Sequence, residues 1–241
     1  MKTMKKPCSI LLAVILTFAM TVIALPVSAL DGTLTVTSSV SSAHVGDTVA
    51  VTVSLQNNPG LISLMLSVQY DTTALELEQV EDLGLFSASP SQSTPGFLQG
   101  NDLSASPYTV LWSDDLAPQN HTAVGDLVTF RFRVRNTAAA GSTAITVSGS
   151  TDNTLDAGLQ PVVLNAGSAN VLIEALPGDV SGDGEITAAD VFFMLQAIQN
   201  SLTDAIAAIN MDLDGDGDTD MDDLLLLRQY IVDHPNGTTT P

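Results

Sequence analysis

The thirteen residues GDVSGDGEITAAD at Gly178–Asp190 return 33 positions later as MDLDGDGDTDMDD at Met211–Asp223. Overlaying the two copies puts Asp179 on Asp212, Gly182 on Gly215, Asp183 on Asp216, Gly184 on Gly217 and Asp190 on Asp223, which makes the stretch an internal repeat. Carboxylates crowded this closely repel one another unless a cation neutralises them. A chain that carries the pattern twice must fold its end around something positive, and that requirement limits its architecture more than any other stretch does.

Counted from Asp179, oxygen-bearing side chains stand at positions 1, 3, 5, 9 and 12, namely Asp179, Ser181, Asp183, Thr187 and Asp190. Glycine takes position 6, where the chain must turn sharply. The second copy sets Asp212, Asp214, Asp216, Asp220 and Asp223 at the same positions, and Glu185 and Asp218 occupy position 7, where the backbone carbonyl is the ligand. This is the spacing of a calcium loop: Ca2+ is a hard cation that takes six to eight oxygens at roughly 2.3–2.6 Å. A plain acidic turn would not require glycine at both sixth positions, so the expectation is two Ca2+ ions, one per loop.

Leu176-Pro177-Gly178 disfavours a helix before the first loop, so neither copy is a full helix–loop–helix hand. After it, Val191, Met194, Leu195 and Ile198 keep one helical face, and Leu224, Leu227 and Ile231 repeat that face after the second loop. The unit is loop then helix, twice.

Two such repeats, with aspartate rather than glutamate at position 12, a short bridging helix at about Thr203 to Ile209 and a C-terminal place in the chain, resemble a type I dockerin, the plug module of cellulosomes. The resemblance spans residues 177–235. It implies that positions 10 and 11 of each repeat help select a cohesin partner; these are Ala188 with Ala189, and Met221 with Asp222. Phe192 and Phe193, and Leu225 and Leu226, lie beside the core stripes. They either complete a very small core or form the buried centre of an interface; Phe192 and Leu225 are counted with the selecting pairs as the partner-binding set.

At the other end, Lys2, Lys5 and Lys6 precede an apolar run from Ile10 to about Leu25, and Val27-Ser28-Ala29 offers a small-residue cleavage site. Residues 1–29 read as a secretory signal peptide, and the run is shorter than the about 20 residues a membrane span needs. The expectation is a secreted, extracellular protein. Cys8, the single cysteine, falls within the leader, so the mature chain is held by burial and calcium rather than by disulfides.

The whole chain has a net charge of −20, and removing the leader takes every lysine, leaving Arg131, Arg133, Arg135 and Arg228 against 27 acidic residues. Nucleic acid and anionic membrane both demand basic contacts, so neither is expected as a partner.

Between Thr33 and Ile173 the residues change to Val, Thr, Ser, Leu and Gly with period-two alternation. Strands are predicted at about Thr33–Ser38, Val49–Gln56, Leu61–Tyr70, Ala74–Val80, Tyr108–Ser113, Leu127–Arg135, Ala144–Ser148 and Ala169–Ile173, with weaker ones between Phe86 and Leu103 and near Val162. Many short strands and no strong helix argue for a mainly β fold, an antiparallel β-sandwich over residues 30–174, followed by a small all-α calcium-binding domain. In the third strand, Ile62, Leu64, Leu66, Val68 and Tyr70 face a core, and Ser63, Met65, Ser67 and Gln69 face outward. Arg131, Arg133 and Arg135 share one outer face; they either guard an edge strand or contact a partner.

Several local patterns make this domain resemble a cohesin, the socket that receives dockerins. They are Val45-Gly46-Asp47-Thr48-Val49, the strand ending in Tyr70-Asp71, VLWSDD at Val110–Asp115, GDLVTFRFRV and NAGSANVLI. The resemblance implies a jelly-roll sandwich whose outer face, including the third strand, receives the partner, which points to Ser63, Met65 and Ser67. Glu174 to Gly178 is too short a linker to separate the modules far, so they are expected to pack together, while 236–241 reads as a disordered tail.

Catalysis finds no support. Asp114 and Asp115 are the obvious carboxylate pair of the sandwich, but neighbours on a strand face opposite ways, and His44, His121 and His234 are scattered beside turn residues. The sole tryptophan, Trp112, reads as core. The reading is a non-catalytic adaptor scaffoldin: its cohesin-like domain takes the dockerin of an enzyme or other cellulosomal component, and its own dockerin plugs into a cohesin on a larger scaffold. The alternative is a carbohydrate-binding module carried by a dockerin, with polysaccharide as partner.

Overall fold

The computed structural model describes residues 31–86, 96–114, 119–199 and 207–234. The leader, the tail 236–241, Asp115 and residues 203–206 of the predicted bridging helix lie outside the described residues.

The strands are β1 (Gly32–Ser38), β2 (Ser42–Ala43), β3 (Thr48–Gln56), β4 (Ser63–Gln69), β5 (Leu75–Asp82), β6 (Leu98–Gln99), β7 (Tyr108–Ser113), β8 (Gly125–Val134), β9 (Gly141–Gly149), β10 (Leu164–Asn165) and β11 (Gly167–Ile173). Two helices follow, α1 (Ala188–Ile198) and α2 (Met221–Asp233). One sheet has the order β10-β1-β3-β8-β5 and the other β2-β11-β9-β4-β7-β6. A mainly β sandwich with a small helical end is thus what the alternation predicts, with pattern and burial in step: every second residue of β3, β4 and β7 is buried.

The all-antiparallel expectation is corrected at two edges. β1 runs parallel to β10, with Gly32 opposite Leu164, and β2 runs parallel to β11, with Leu172 opposite Ser42. The cause is that the opening segment is divided between the two sheets and so is the closing one, which brings first and last strands alongside in each. Both parallel partners are two residues long, too short for periodicity to reveal β2 at all.

The arginine stripe also needs correction. β8 lies between β3 and β5, so it is not an edge strand. Its arginines reach across to β5 instead: Arg131 donates to Glu81 at 3.2 Å and Arg135 pairs with Glu76 at 3.7 Å. On its inner side Phe130, Phe132 and Val134 are fully buried, and a bulge opposite Val53 and Ser54 adds Leu127 to the core beside Val128. Phe132 meets Tyr70 edge-on at 4.9 Å, and Trp112, 1 % exposed, packs on Phe86 at 4.4 Å.

The tail has its own cluster of Val180, Ile186, Met194, Met211, Leu224 and Leu227, against which Val191, Leu195, Ile198 and Ile231 lie half-buried. These are the two predicted helical stripes, folded face to face. The described part of the predicted bridging helix is one 3-10 turn at Ala208–Asn210. No described helix is long and apolar enough to cross a membrane.

Candidate metal loops and recognition faces

Each acidic loop is drawn closed by its first and last carboxylates. Asp179 accepts from the backbone N–H groups of Gly182 (2.8 Å), Asp183 (3.1 Å) and Gly184 (3.1 Å), and Asp190 accepts from those of Ser181 (2.8 Å) and Thr187 (2.7 Å). In the second loop Asp212 accepts from Gly215 (2.7 Å) and Gly217 (3.1 Å), and Asp223 from Leu213 (2.7 Å) and Asp220 (2.8 Å). Such wrapping is possible because Gly184 and Gly217, the sixth positions, have φ of +86° and +96°, a region that side chains rarely adopt. The closing residues also start the helices. Thr187 and Asp220 are N-caps, and Asp190 and Asp223 bond back to them as the third residues of capping boxes.

The carboxylate spacing of the second loop fits a hard divalent cation, while in the first, where Ser181 and Thr187 replace two of the carboxylates, no such group gathers among the described residues. In the second loop the carboxylate oxygens of Asp212, Asp214 and Asp216 lie within 4.8 Å of one another, as do those of Asp218, Asp220 and Asp223. None of the ion pairs among the described residues involves a loop carboxylate. The uncompensated charge is felt: Asp216 first, then desolvation and Asp220, Asp223 and Asp214, push Asp218 above its ordinary carboxylate range. In the first loop it is mainly burial that raises Asp179, opposed by the N–H groups of Gly184 and Asp183. Ser181, Asp183 and Thr187, with the backbone carbonyl of Glu185, would complete the oxygen set of an ion in loop one, and Asp214, Asp216 and Asp220, with that of Asp218, would do so in loop two. Bound calcium would supply the positive charge that holds each set together.

The loops differ in setting. Asp179 and Gly182 are buried, whereas their counterparts Asp212 and Gly215 are half-buried and exposed; the closing Asp190 and Asp223 are buried in both loops. Nothing in the near-symmetric spacing signals this difference.

The predicted dockerin-side residues gather on the exposed surface of the two helices. Ala188, Ala189 and Asp222 are exposed, and Phe192, Met221 and Leu225 are 55, 49 and 53 % exposed. Of the flanking apolar pairs, Phe193 turns in against the tail core, while Leu226 stays out, 45 % exposed. Val232, 72 % exposed, extends the apolar surface and was not anticipated.

On the sandwich, Ser63, Met65 and Ser67 lie on the outer face of the β4 sheet. Ser63 is tied down, its hydroxyl donating to Asn153 O at 2.7 Å, whereas Met65 sits opposite Leu111, and Ser67 lies between Thr109 and Ser148. Gln69 and Thr146, then Ala144 and Asn170, continue this face. None of these side chains is charged, in a chain of net charge −20.

Of the Asp114–Asp115 pair, Asp114 alone is among the described residues. Asp114 is 1 % exposed and its Oδ2 lies 2.9 Å from His121 Nε2, with the His121 ring edge-on to Trp112 at 5.1 Å. Sequence distance hid this contact, which ties the His121 loop to the end of β7. The aromatic rings of β4, β7 and β8 and their flanks are buried, and Phe192 on the tail is the one exposed aromatic among the described residues, so the sugar-binding alternative lacks a stacking platform on the described sandwich.

Comparison with known proteins agrees with this division. The family model for the cohesin domain matches residues 33–171, and that for the dockerin type I domain matches residues 177–232. The chain is similar to Cellulose-binding protein A of Clostridium cellulovorans, 28% identical over 160 residues that make up 66% of this chain and 8% of that relative, so it spans under a tenth of the relative's length. Among solved structures, a chain of the Coh-OlpC-Doc435 cohesin–dockerin complex from Clostridium thermocellum is 19% identical, covering 60% of this chain and 95% of that one at a TM-score of 0.46. The seventh ScaB type I cohesin from Pseudobacteroides cellulosolvens is 23% identical, covering 60% and 93% at a TM-score of 0.43. On the two domain matches, the chain belongs to the cohesin family and carries a type I dockerin domain behind its cohesin domain.

Proposed function

We propose that this protein is a non-catalytic, secreted adaptor scaffoldin of an extracellular polysaccharide-degrading complex. Its sandwich, residues 30–174, receives the dockerin of an enzyme or other component on the β4 face, and its calcium-loaded tail, residues 177–235, inserts into a cohesin on a larger scaffold. The observation that carries the reading is the union in one chain of a socket and a plug of the same recognition system. Two further features support it. The apolar surface of Phe192, Met221, Leu225 and Leu226 on the tail is the kind that a stable interface buries, and the Met65 face of the sandwich bears no charge for an incoming partner to neutralise.

Ca2+ in both loops supplies the order of the plug. The helices have 11 and 13 residues, lengths at which an isolated helix is marginal in water, so their persistence depends on the loops that cap them. The test is bridging. The full chain, mixed in calcium with one cohesin-bearing probe and one dockerin-bearing probe from the same secretome, gives a three-component species by size exclusion with light scattering. Binding of only one probe class would reduce the protein to a simple plug or a simple socket.

A further inference from the structure

The two modules share a seam, and among the described residues it passes through the first of the two acidic loops. The turn after β2 carries Val45 and Gly46, pinned to the end of β8 by Gly46 N–H to Val134 O at 3.0 Å and Val134 N–H to Asp47 O at 2.9 Å. Gly46 has φ +85°, and a Cβ there would collide with the backbone carbonyl oxygen of Gly182, the fourth residue of the first loop. A Cβ at Gly182 would in turn lie 2.9 Å from Val45 Cγ1 and 3.1 Å from Asn136 Oδ1. Two glycines therefore face each other because neither backbone leaves room for a side chain. Ala207, just before the bridging turn, is fully buried within the sandwich core cluster, and Ile209 packs on the same cluster. Ala207 N–H donates to Val180 O at 2.8 Å, so the residue that plugs into the sandwich also braces the first loop. In the second loop Gly215, the counterpart of Gly182, has nothing within 4 Å of where a Cβ would stand, while the sixth-position glycines Gly184 and Gly217 are open in both loops.

We infer that the first loop is a structural joint, and the second a free-standing site. Calcium at Asp179–Asp190 stabilises the sandwich and the tail as one cooperative unit, while calcium at Asp212–Asp223 orders the second repeat alone. This rests on the calcium reading above and goes beyond it, because it makes two loops of matching sequence unequal in what they control.

Trp112 makes the inference measurable, being the only tryptophan and lying in the sandwich core, 1 % exposed. Its fluorescence reports unfolding of the sandwich and not of the tail. The experiment is thermal melting of the full chain by Trp112 fluorescence across a calcium titration, with calorimetry counting bound ions in parallel. A ligand at a hundredfold excess over its Kd multiplies the folded-to-unfolded ratio by about 100, a rise of roughly 5–10 °C in midpoint for a unit of this size. The wild type and Asp223→Ala are expected to show that rise, and Asp190→Ala to lose it. Gly46→Ala, which touches no ligand, is expected to keep both ions yet lose most of the rise. If calorimetry finds both ions bound while the Trp112 midpoint ignores calcium, or if Asp223→Ala abolishes the rise as fully as Asp190→Ala, the joint is refuted and the calcium reading survives. If neither loop takes up calcium, both fail.

Discussion

Asn210 donates its side-chain amide to the backbone carbonyl of Asp179 at 2.6 Å and accepts from the backbone N–H of Leu176 at 2.8 Å. It is fully buried, and its own carbonyl takes Gly178 N–H at 2.8 Å. One side chain thus fastens the linker, the first loop and the bridging turn together. Asn210→Ala leaves two buried backbone groups unpaired, and the expected cost is at least about 2 kcal/mol. Chemical denaturation of the calcium-loaded chain, followed by far-UV circular dichroism at the helical band, checks it.

The N-cap hydroxyl of Thr187 gives a milder, local prediction. It accepts from Ala189 N–H at 3.2 Å, and Thr187→Ala is expected to cost about 1 kcal/mol of helix stability. Because the same oxygen stands at position 9 of the loop, calcium affinity measured by calorimetry is expected to fall at one of two sites, with the other unchanged.

On the sandwich the absence of charge around Met65 and Ser67 leads to two expectations. Met65→Asp, beside Leu111, places a carboxylate where a partner must be desolvated, and dockerin binding is expected to weaken by at least tenfold with no change in melting. Association with the wild-type face is expected to vary little between low and high salt, since exposed charge pairs are what salt screens. Surface plasmon resonance at two ionic strengths reads both.

β8 offers a contrast within one strand. Phe130→Ala empties a fully buried position and is expected to cost about 3–5 kcal/mol. Arg131→Ala removes a half-exposed pair with Glu81 and is expected to cost about 1 kcal/mol or less. Urea unfolding of the two variants against wild type separates them.

The same strand shows what can be read from sequence and what cannot. Alternation along Phe130 to Val134 announces which side chains are inside, because that property belongs to a single strand. Whether β8 stands at an edge depends on β3 and β5, which pair with it from far along the chain, and no local pattern records the order of neighbours. The closed turns of the acidic loops were readable, since the carboxylates and glycines that draw each one shut are contiguous in sequence. Their inequality was not: it depends on Gly46 meeting Gly182 and on Ala207 entering the sandwich core, contacts made by small residues that leave no periodic trace. Asp114 and His121 escaped notice for the same reason, as two ends of a loop joined only after folding.

An adaptor must join two different kinds of protein through two different surfaces. The direct measurement is capture from culture supernatant in calcium, using the full chain, its Met65→Asp variant and its Asp190→Ala/Asp223→Ala variant, with retained proteins identified by mass spectrometry. The prediction is that the wild type retains both dockerin-bearing and cohesin-bearing proteins, that Met65→Asp loses only the former, and that the double aspartate variant loses only the latter. Retention of one identical set by all three, or of proteins bearing neither module, would contradict it.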